Sequence, residues 1–166
     1  PAARHPAMHR KGNTGNRGRT GMTISMDADA LTRFMHREFP QVASDLRVGS
    51  PDAQGLTVSL ATGEQHLRPG GTVSGPTLFT LADVAFYLLI LSRIGPEALT
   101  VTTGATINFM RKPAPGVIHG DARILKQGKS LIVGDVMIYN DADTDRTAPV
   151  AQAQMTYSVP PMRGRS

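Results

Sequence analysis

Asp83 is the residue whose surroundings most strongly suggest chemistry. It is the only charged residue between Arg68 and Arg93, and it stands inside a long apolar run. Burying an unpaired carboxylate costs much free energy, so such a group is paired, hydrogen-bonded or placed in a cleft where it acts. Two interpretations stay open at this point. Asp83 is either a general base or nucleophile, or a structural carboxylate that accepts hydrogen bonds from Thr80 or Tyr87 or pairs with Arg93.

A glycine-rich loop precedes the run that contains Asp83. Gly70, Gly71 and Gly75 allow the backbone to approach a ligand closely, and free N–H groups at a helix N-terminus stabilise a developing oxyanion. Eight residues separate Gly75 from Asp83, which corresponds to a rise of about 12 Å along a helix. One helix therefore does not bring both groups to the same carbonyl. Two antiparallel helices across a two-fold axis would do so, and we expect a site shared between two chains.

Hydrophobic periodicity predicts the two helices that position these residues. Residues 27–39 have apolar positions at helical spacing and predict a short amphipathic helix that ends before Pro40. Pro76 suits the first turn of a longer helix, which runs to Ile94 and ends at Gly95. Apolar residues cover every face of this longer helix, which indicates burial on nearly all sides.

The rest of the chain predicts strands separated by turns. The turns are rich in Gly, Pro, Asn and Asp, and the strand spacing suits antiparallel neighbours. Because no helix lies between the last four strands, parallel βαβ winding is disfavoured. The prediction is an α+β fold in which an antiparallel sheet packs on the one long helix. The strands are expected at residues 45–48, 56–62, 100–110, 116–126, 130–139 and 150–159.

Length and charge limit the classes of function. The chain has 166 residues, enough for one domain with a sizeable core, and its 40% hydrophobic content is ordinary for a globular protein. The whole net charge of +5 lies in residues 1–21, so the remainder is neutral and offers no basic surface for DNA or RNA. We predict a disordered basic tail at 1–21, one domain at 22–160 and a disordered C-terminus at 161–166.

The sequence lacks cysteine, and its histidines are not spaced as in metal sites. The absence of cysteine excludes disulfides and a cysteine nucleophile. The longest apolar run contains Asp83 and is about half the length of a membrane span, so no membrane association is expected. The histidines lack metal-site spacing, and the loop acids Asp141, Asp143 and Asp145 indicate a solvated turn. We therefore predict a cytoplasmic protein without a metal.

Three segments of the sequence resemble the PaaI-like hotdog thioesterases. The first, Arg68–Asp83, matches a motif of roughly Asn-x-x-Gly-Thr-x-His-Gly-Gly-x-x-x-x-Leu-x-Asp. Together with the strand order, the segments cover residues 45–159. The resemblance implies a hotdog fold, in which an antiparallel β-sheet wraps around one long central helix. The other two segments are Ile107-Asn108-Phe109-Met110-Arg111-Lys112-Pro113 and Leu125-Lys126-Gln127-Gly128-Lys129-Ser130-Leu131.

The resemblance also implies roles for single residues. Asp83 would activate a water or attack a thioester carbonyl that the N–H of Gly75 polarises. Thr102 lies where some relatives carry a Ser that orients the water, although it is equally an ordinary strand residue. Ser74 stands for the motif His and Arg68 for the motif Asn, and both are included in the predicted site. The further residues predicted to bind substrate are Phe79, Phe109, Arg111, Lys126, Gly128 and Lys129.

Two groups of side chains would recognise the substrate. Lys126 and Lys129, with Arg111 or Lys112, flank predicted turns and are expected at one end of the sheet against the phosphates of coenzyme A. Alternatively, these cationic side chains are solvated at the surface and bind no ligand. Apolar side chains would line a tunnel for the acyl group or else belong to the core; these are Phe79, Phe86 and Tyr87.

The function implied by the resemblance is hydrolysis of a small or medium acyl-CoA. Coenzyme A is then part of the substrate, and no cofactor is needed. The loss of the motif Asn and His leaves a second possibility, a non-catalytic acyl-CoA-binding or regulatory module on the same fold. A hydratase is disfavoured because the glycine-rich motif contains no His. The expected assembly is a homodimer or a dimer of dimers.

Overall fold

Two short helices come first in the described structure. A computed structural model describes residues 22–161, and the predicted tail at 1–21 and residues 162–166 lie outside the described residues. Helix α1 spans Ala28–Glu38, and α2 spans Pro40–Ala43. The carboxylate of Asp27 caps α1 by accepting a hydrogen bond of 2.8 Å from the N–H of Ala30. The predicted amphipathic helix is confirmed, with its apolar stripe buried.

Helix α3 is the central element of the fold and spans Gly75–Ile94. Ser74 caps its N-terminus, and Pro76 occupies the first turn. It ends at Gly95, where φ is +94° and the N–H bonds to the carbonyl of Leu91 at 2.9 Å. Among the described helices, α3 alone is long and apolar enough to cross a membrane. In this fold 67% of that apolar stretch is buried, which identifies α3 as the core helix.

Six antiparallel strands form a single sheet around α3. The predicted strands are all present, with bounds that differ by at most one residue from those expected. Their order across the sheet is β1-β2-β4-β5-β6-β3. The strands are β1 Leu46–Val48, β2 Leu56–Ala61, β3 Val101–Phe109, β4 Val117–Gln127, β5 Leu131–Asn140 and β6 Ala151–Ser158.

Strand β3 lies at one edge of the sheet and not beside the strand that follows it in sequence. It pairs with β6, so that Thr102 is opposite Tyr157 and Phe109 is opposite Ala151. Eight of its nine residues are exposed, including apolar side chains such as Val101. The expected antiparallel pairing is therefore confirmed for β3, whose neighbour is β6 and not β4, while β4, β5 and β6 pair in sequence order.

Two glycines let α3 lie close to the sheet. A Cβ on Gly120 would be 3.2 Å from Cγ of Leu81, and a Cβ on Gly134 would overlap the ring of Phe86. Phe86 is fully buried, so it belongs to the core and does not line a tunnel. Close packing of this kind holds α3, and every side chain on it, in one position relative to the strands.

Candidate functional site

Asp83 lies in the third turn of α3, and two hydroxyl groups bind its carboxylate. Thr102 Oγ1 on β3 and Tyr157 Oη on β6 each donate a hydrogen bond of 2.6 Å to Oδ1. The Tyr157 hydroxyl is also 3.0 Å from the backbone oxygen of Asp83. Within the described chain, no side chain or backbone group bonds to the second carboxylate oxygen, Oδ2. The carboxylate is thus fixed through one oxygen and available through the other.

The partners considered for a purely structural Asp83 are engaged elsewhere. Thr80 donates to the carbonyl of Pro76 one turn earlier in α3. Tyr87 donates to the carbonyl of Ala98 at 3.3 Å, and Arg93 donates to the carbonyl of Asp52. The prediction that Thr80, Tyr87 or Arg93 binds Asp83 is therefore wrong. The side chains that bind Asp83 come from strands distant in sequence.

A cavity of 390 Å³ opens beside Asp83. Its polar wall carries Asp83 and Thr102, and the rest of the lining is mostly apolar. Met35 and Phe39 come from the N-terminal helical segment, and Tyr87 lies one turn after Asp83 on α3. An apolar pocket with a few convergent polar groups is the usual form of a small-molecule site.

Both tyrosines at this cavity keep their protons at neutral pH. Burial raises the pKa of Tyr157 far above its usual value of 10, and the charge of Asp83 raises it further. The pKa of Tyr87 rises to about 12, chiefly through burial and secondly through Glu38. Tyr157 therefore acts as a hydrogen-bond donor to Asp83 and not as a base.

The glycine-rich loop forms a tight turn before α3. Gly70 and Gly71 have φ values of +102° and +78°, which favour glycine, and the N–H of Arg68 bonds to the carbonyl of Thr72 at 2.9 Å. These two glycines shape the turn. The Ser74 hydroxyl lies 2.9 Å from the Thr77 hydroxyl and serves as the helix cap, so it takes no part in the Asp83 cluster.

Gly75 carries the available backbone donor at the start of α3. In the described part of the chain no acceptor pairs with its N–H, and the next residue, Pro76, has none to offer. A Cβ on Gly75 would be 3.2 Å from Cζ of Phe109, so the Phe109 ring packs against this backbone. Gly75 lines a cavity of 450 Å³ whose other lining residues include Arg68, Arg111 and Lys112.

One chain keeps the two parts of the predicted site apart. The Asp83 cavity and the Gly75 cavity have no lining residue in common. The first lies at the Thr102 end of β3 and the second at the Phe109 end. The structure thus brings Asp83 and Thr102 together, but not Asp83 and Gly75, in agreement with the helix-rise argument.

The predicted phosphate-binding cations lie at opposite ends of the sheet, which corrects the expectation of a single end. Gly128 lies in the β4–β5 turn with Lys129, and this turn is at the Thr102 end, because Leu131 and Val101 both pair with Ser158. The residues that follow β3, Arg111 and Lys112, are at the other end. The antiparallel pairing of β3 with β6 separates the two groups within one chain. Lys126, Gly128 and Lys129 are all exposed.

Other candidate residues have ordinary roles in the structure. Phe79 is 37% exposed on α3 and does not line the Asp83 cavity. Asp141 pairs with His119 at 2.8 Å on the other side of the sheet, and Asp143 accepts a hydrogen bond from the N–H of Ala148. In residues 22–161, no three His, Asp or Glu side chains lie together as metal ligands would.

Tyr157 is the site residue that the sequence did not reveal. The alternation of buried and exposed residues in β6 places its side chain on the face toward α3, together with Ala153 and Met155. That pattern alone describes a core aromatic residue. Tyr157 and Asp83 are 74 residues apart in sequence, and their contact depends on how β6 packs against α3. Local periodicity does not encode that packing.

Comparison with known proteins identifies the family. Residues 70–147 match the family model of the thioesterase superfamily. The crystal structure of a proposed thioesterase from Silicibacter sp. TM1040 is 45% identical, covers 86% of this chain and 97% of its own, and has a TM-score of 0.77. No curated protein matches the chain.

More distant solved structures share the fold. The PaaI protein from the phenylacetic acid degradation operon of E. coli is 24% identical, with 83% of this chain and 96% of its own covered at a TM-score of 0.69. A hypothetical thioesterase from Streptococcus pneumoniae TIGR4, determined with coenzyme A, is 23% identical, with coverage of 81% and 100% and a TM-score of 0.66. This chain therefore belongs to the thioesterase superfamily of thioester hydrolases, and its α+β architecture is the hotdog fold of PaaI-like proteins.

Proposed function

We propose that the protein hydrolyses a small or medium acyl-CoA with a water activated by Asp83. The observation that carries this proposal is the carboxylate held through Oδ1 in the wall of an apolar cavity, with no hydrogen bond from the described chain to Oδ2. A thioesterase needs a base beside an acyl pocket, and this arrangement supplies both.

The chemistry balances with the residues present. Oδ2 of Asp83 takes a proton from water while the water oxygen bonds to the thioester carbonyl carbon. The negative charge that develops on the carbonyl oxygen is stabilised by the N–H of Gly75 from a second chain. Collapse of this tetrahedral intermediate breaks the C–S bond, and the leaving coenzyme A thiolate takes the proton from Asp83, which regenerates the carboxylate. The acid product and free coenzyme A then dissociate.

Strand β3 supports a homodimer that completes the site. It is an edge strand whose unpaired backbone and apolar side chains are exposed, and such an edge invites pairing with another strand. Antiparallel pairing of β3 with its copy about a two-fold axis near Ala105 places the Thr102 end of one chain against the Phe109 end of the other. Asp83 of one chain then meets Gly75 of the other, twice per dimer.

The same symmetry gathers the separated cations. Lys126 and Lys129 of one chain would lie at the same end as Arg68, Arg111 and Lys112 of the second chain, where phosphates can be bound. The S. pneumoniae neighbour solved with coenzyme A is consistent with this ligand. The acyl group would enter the 390 Å³ cavity, whose apolar lining suits an uncharged chain or ring. A cytoplasmic location stays a prediction from composition.

The substitution Asp83→Asn tests the proposal sharply. Asn retains the side-chain oxygen that accepts from Thr102 and Tyr157 and replaces only Oδ2, so folding should be preserved while the base is lost. We expect kcat to fall by ~10²-fold or more, with a nearly unchanged Tm. Hydrolysis is measured across short, medium and aromatic acyl-CoAs, with hydration of an enoyl-CoA measured beside it.

The possible outcomes separate three functions. Thioester cleavage that depends on Asp83 supports the proposal. Tight acyl-CoA binding without turnover by the wild-type protein supports the non-catalytic binding module instead. Enoyl-CoA hydration in the absence of cleavage indicates a hydratase.

A further inference from the structure

Tyr157 is the most deeply buried polar side chain in contact with Asp83. It is 2% exposed, and its ring is held by the ring of Phe86 at 5.5 Å and that of Tyr87 at 6.2 Å between centroids. Both neighbours lie on α3, the helix that carries Asp83. The position of the hydroxyl is therefore set by the same helix whose carboxylate it binds.

Two donors share one oxygen of the carboxylate. Thr102 and Tyr157 are directly opposite each other on β3 and β6, and both reach Oδ1 at 2.6 Å. A carboxylate oxygen has two lone pairs, so these two short bonds use the acceptor capacity of Oδ1. They also restrict rotation of the carboxylate, because a turn about its terminal bond would break both.

We propose that Tyr157 is a positioning residue for hydrolysis, which together with Thr102 binds Oδ1 of Asp83 and directs Oδ2 to the water in the acyl cavity. The inference rests on the proposed function, since it concerns the same carboxylate. Tyr157 acts through Asp83 and does not itself touch the reacting atoms.

The charges around the carboxylate favour this role. The titratable side chains that face the cluster are Tyr157 from β6 and Tyr87 from α3, while Glu38 at the end of α1 acts on Tyr87. The lining of the Asp83 cavity contains no Lys, Arg or His. In the described structure, the side chains that donate to the carboxylate of Asp83 are thus hydroxyl groups and not cations. Tyr157 is held protonated by burial and by that charge, so its donor hydrogen is retained.

Tyr157→Phe removes the hydroxyl and keeps the ring. We expect kcat to fall about ten-fold, with KM changed much less, because the base is no longer oriented. A donor to the charged carboxylate favours the charged form, so loss of the donor makes the carboxylate easier to protonate. The acidic limb of the pH–rate profile should therefore move to higher pH. A role limited to packing would lower Tm without moving that limb.

Tyr139→Phe is the matched control. Tyr139 is also a buried strand tyrosine, 8% exposed, but it lies on the opposite face of the sheet, where the guanidinium of Arg146 is 5.1 Å from its ring centroid. This variant should keep the wild-type kcat and pH profile. A second variant, Thr102→Val, removes the other donor to Oδ1 and should move the acidic limb in the same direction as Tyr157→Phe.

Carboxyl ¹³C NMR titration of Asp83 tests the inference without turnover. The Asp83 signal, assigned by its loss in Asp83→Asn, should titrate at higher pH in Tyr157→Phe than in the wild-type protein. Wild-type kcat and an unmoved acidic limb in Tyr157→Phe would overturn the inference, and so would identical Asp83 titrations. If the wild-type protein shows no turnover but the Asp83 titration shifts in Tyr157→Phe, the proposed function is rejected. The hydrogen bond from Tyr157 to Asp83 is then still supported.

Discussion

The carboxylate of Asp83 is tolerated inside an apolar helix because hydroxyl groups from two other elements reach it. A buried charged oxygen that loses its hydrogen-bond donor costs the protein folding free energy, whereas an oxygen that reaches solvent can bind water instead. The two oxygens of Asp83 differ in this respect, because Oδ1 accepts two hydrogen bonds from the protein and Oδ2 accepts none within the described chain. A single residue thereby serves the packing of α3 and the proposed chemistry.

Lys129 offers a test at the residue scale of where coenzyme A binds. It is exposed in the β4–β5 turn at the Thr102 end of the sheet. If it contacts a phosphate, Lys129→Ala should raise KM several-fold with little change in kcat, and the effect should be larger at low salt. Steady-state kinetics at two ionic strengths measure this. Arg47→Ala is the control and should leave both constants unchanged, because Arg47 is an exposed residue of β1, at the opposite edge of the sheet from β3. A KM for Lys129→Ala that equals the wild-type value at both salt concentrations would remove Lys129 from the site.

Sequence reasoning identified Asp83 by its isolation among apolar residues and Thr102 through a family resemblance. It did not identify Tyr157, because a tyrosine in an alternating strand is indistinguishable from a core residue. It also misassigned the structural partners of Asp83 to the nearby Thr80, Tyr87 and Arg93. Contacts within one helix follow from spacing, but contacts between elements depend on the sheet order, which spacing does not determine.

At the scale of elements, the helices and strands were predictable and their arrangement was only partly so. Caps and breakers such as Asp27 and Gly95 mark the ends of helices locally, and alternation marks the strands. The position of β3 beside β6 is a long-range pairing with no local signal. Its consequence is functional, because the exposed edge and the separation of Arg111 from Lys129 both follow from that placement.

The N-terminus of α3 permits a test of the proposed oxyanion donor. Proline is well suited to the first position of a helix, so Gly75→Pro removes the N–H where helix geometry allows it. Gly75→Ala is the matched variant, since it adds the same Cβ against the half-exposed Phe109 ring but keeps the N–H. We expect kcat to fall by ~10²-fold or more in Gly75→Pro relative to Gly75→Ala. Equal kcat values in the two folded variants would contradict a role for this N–H.

At the scale of the whole molecule, the edge strand β3 and the two separate cavities are the features that the proposed homodimer would bring together. Asp83 lies at one end of β3 and Gly75 near the other, while the strand between them is exposed along its length. A two-fold axis through the middle of β3 would cover the exposed edge and unite the two halves. The proposed homodimer would thus account for both the exposed edge strand and the divided site.

Mixing two inactive variants tests that assembly directly. Asp83→Asn lacks the base and Gly75→Pro lacks the oxyanion donor, so each homodimer has two defective sites. In a heterodimer, one site combines both defects and the other combines an intact Asp83 with an intact Gly75. Random exchange places half of the chains in heterodimers, each with one working site of two, so we expect recovery of about one quarter of wild-type kcat per chain. Light scattering measures the oligomeric state, and activity is followed after mild denaturation and refolding of the mixture. A stable monomer with wild-type turnover, or a mixed dimer population with no recovery, would show that each chain carries its own complete site.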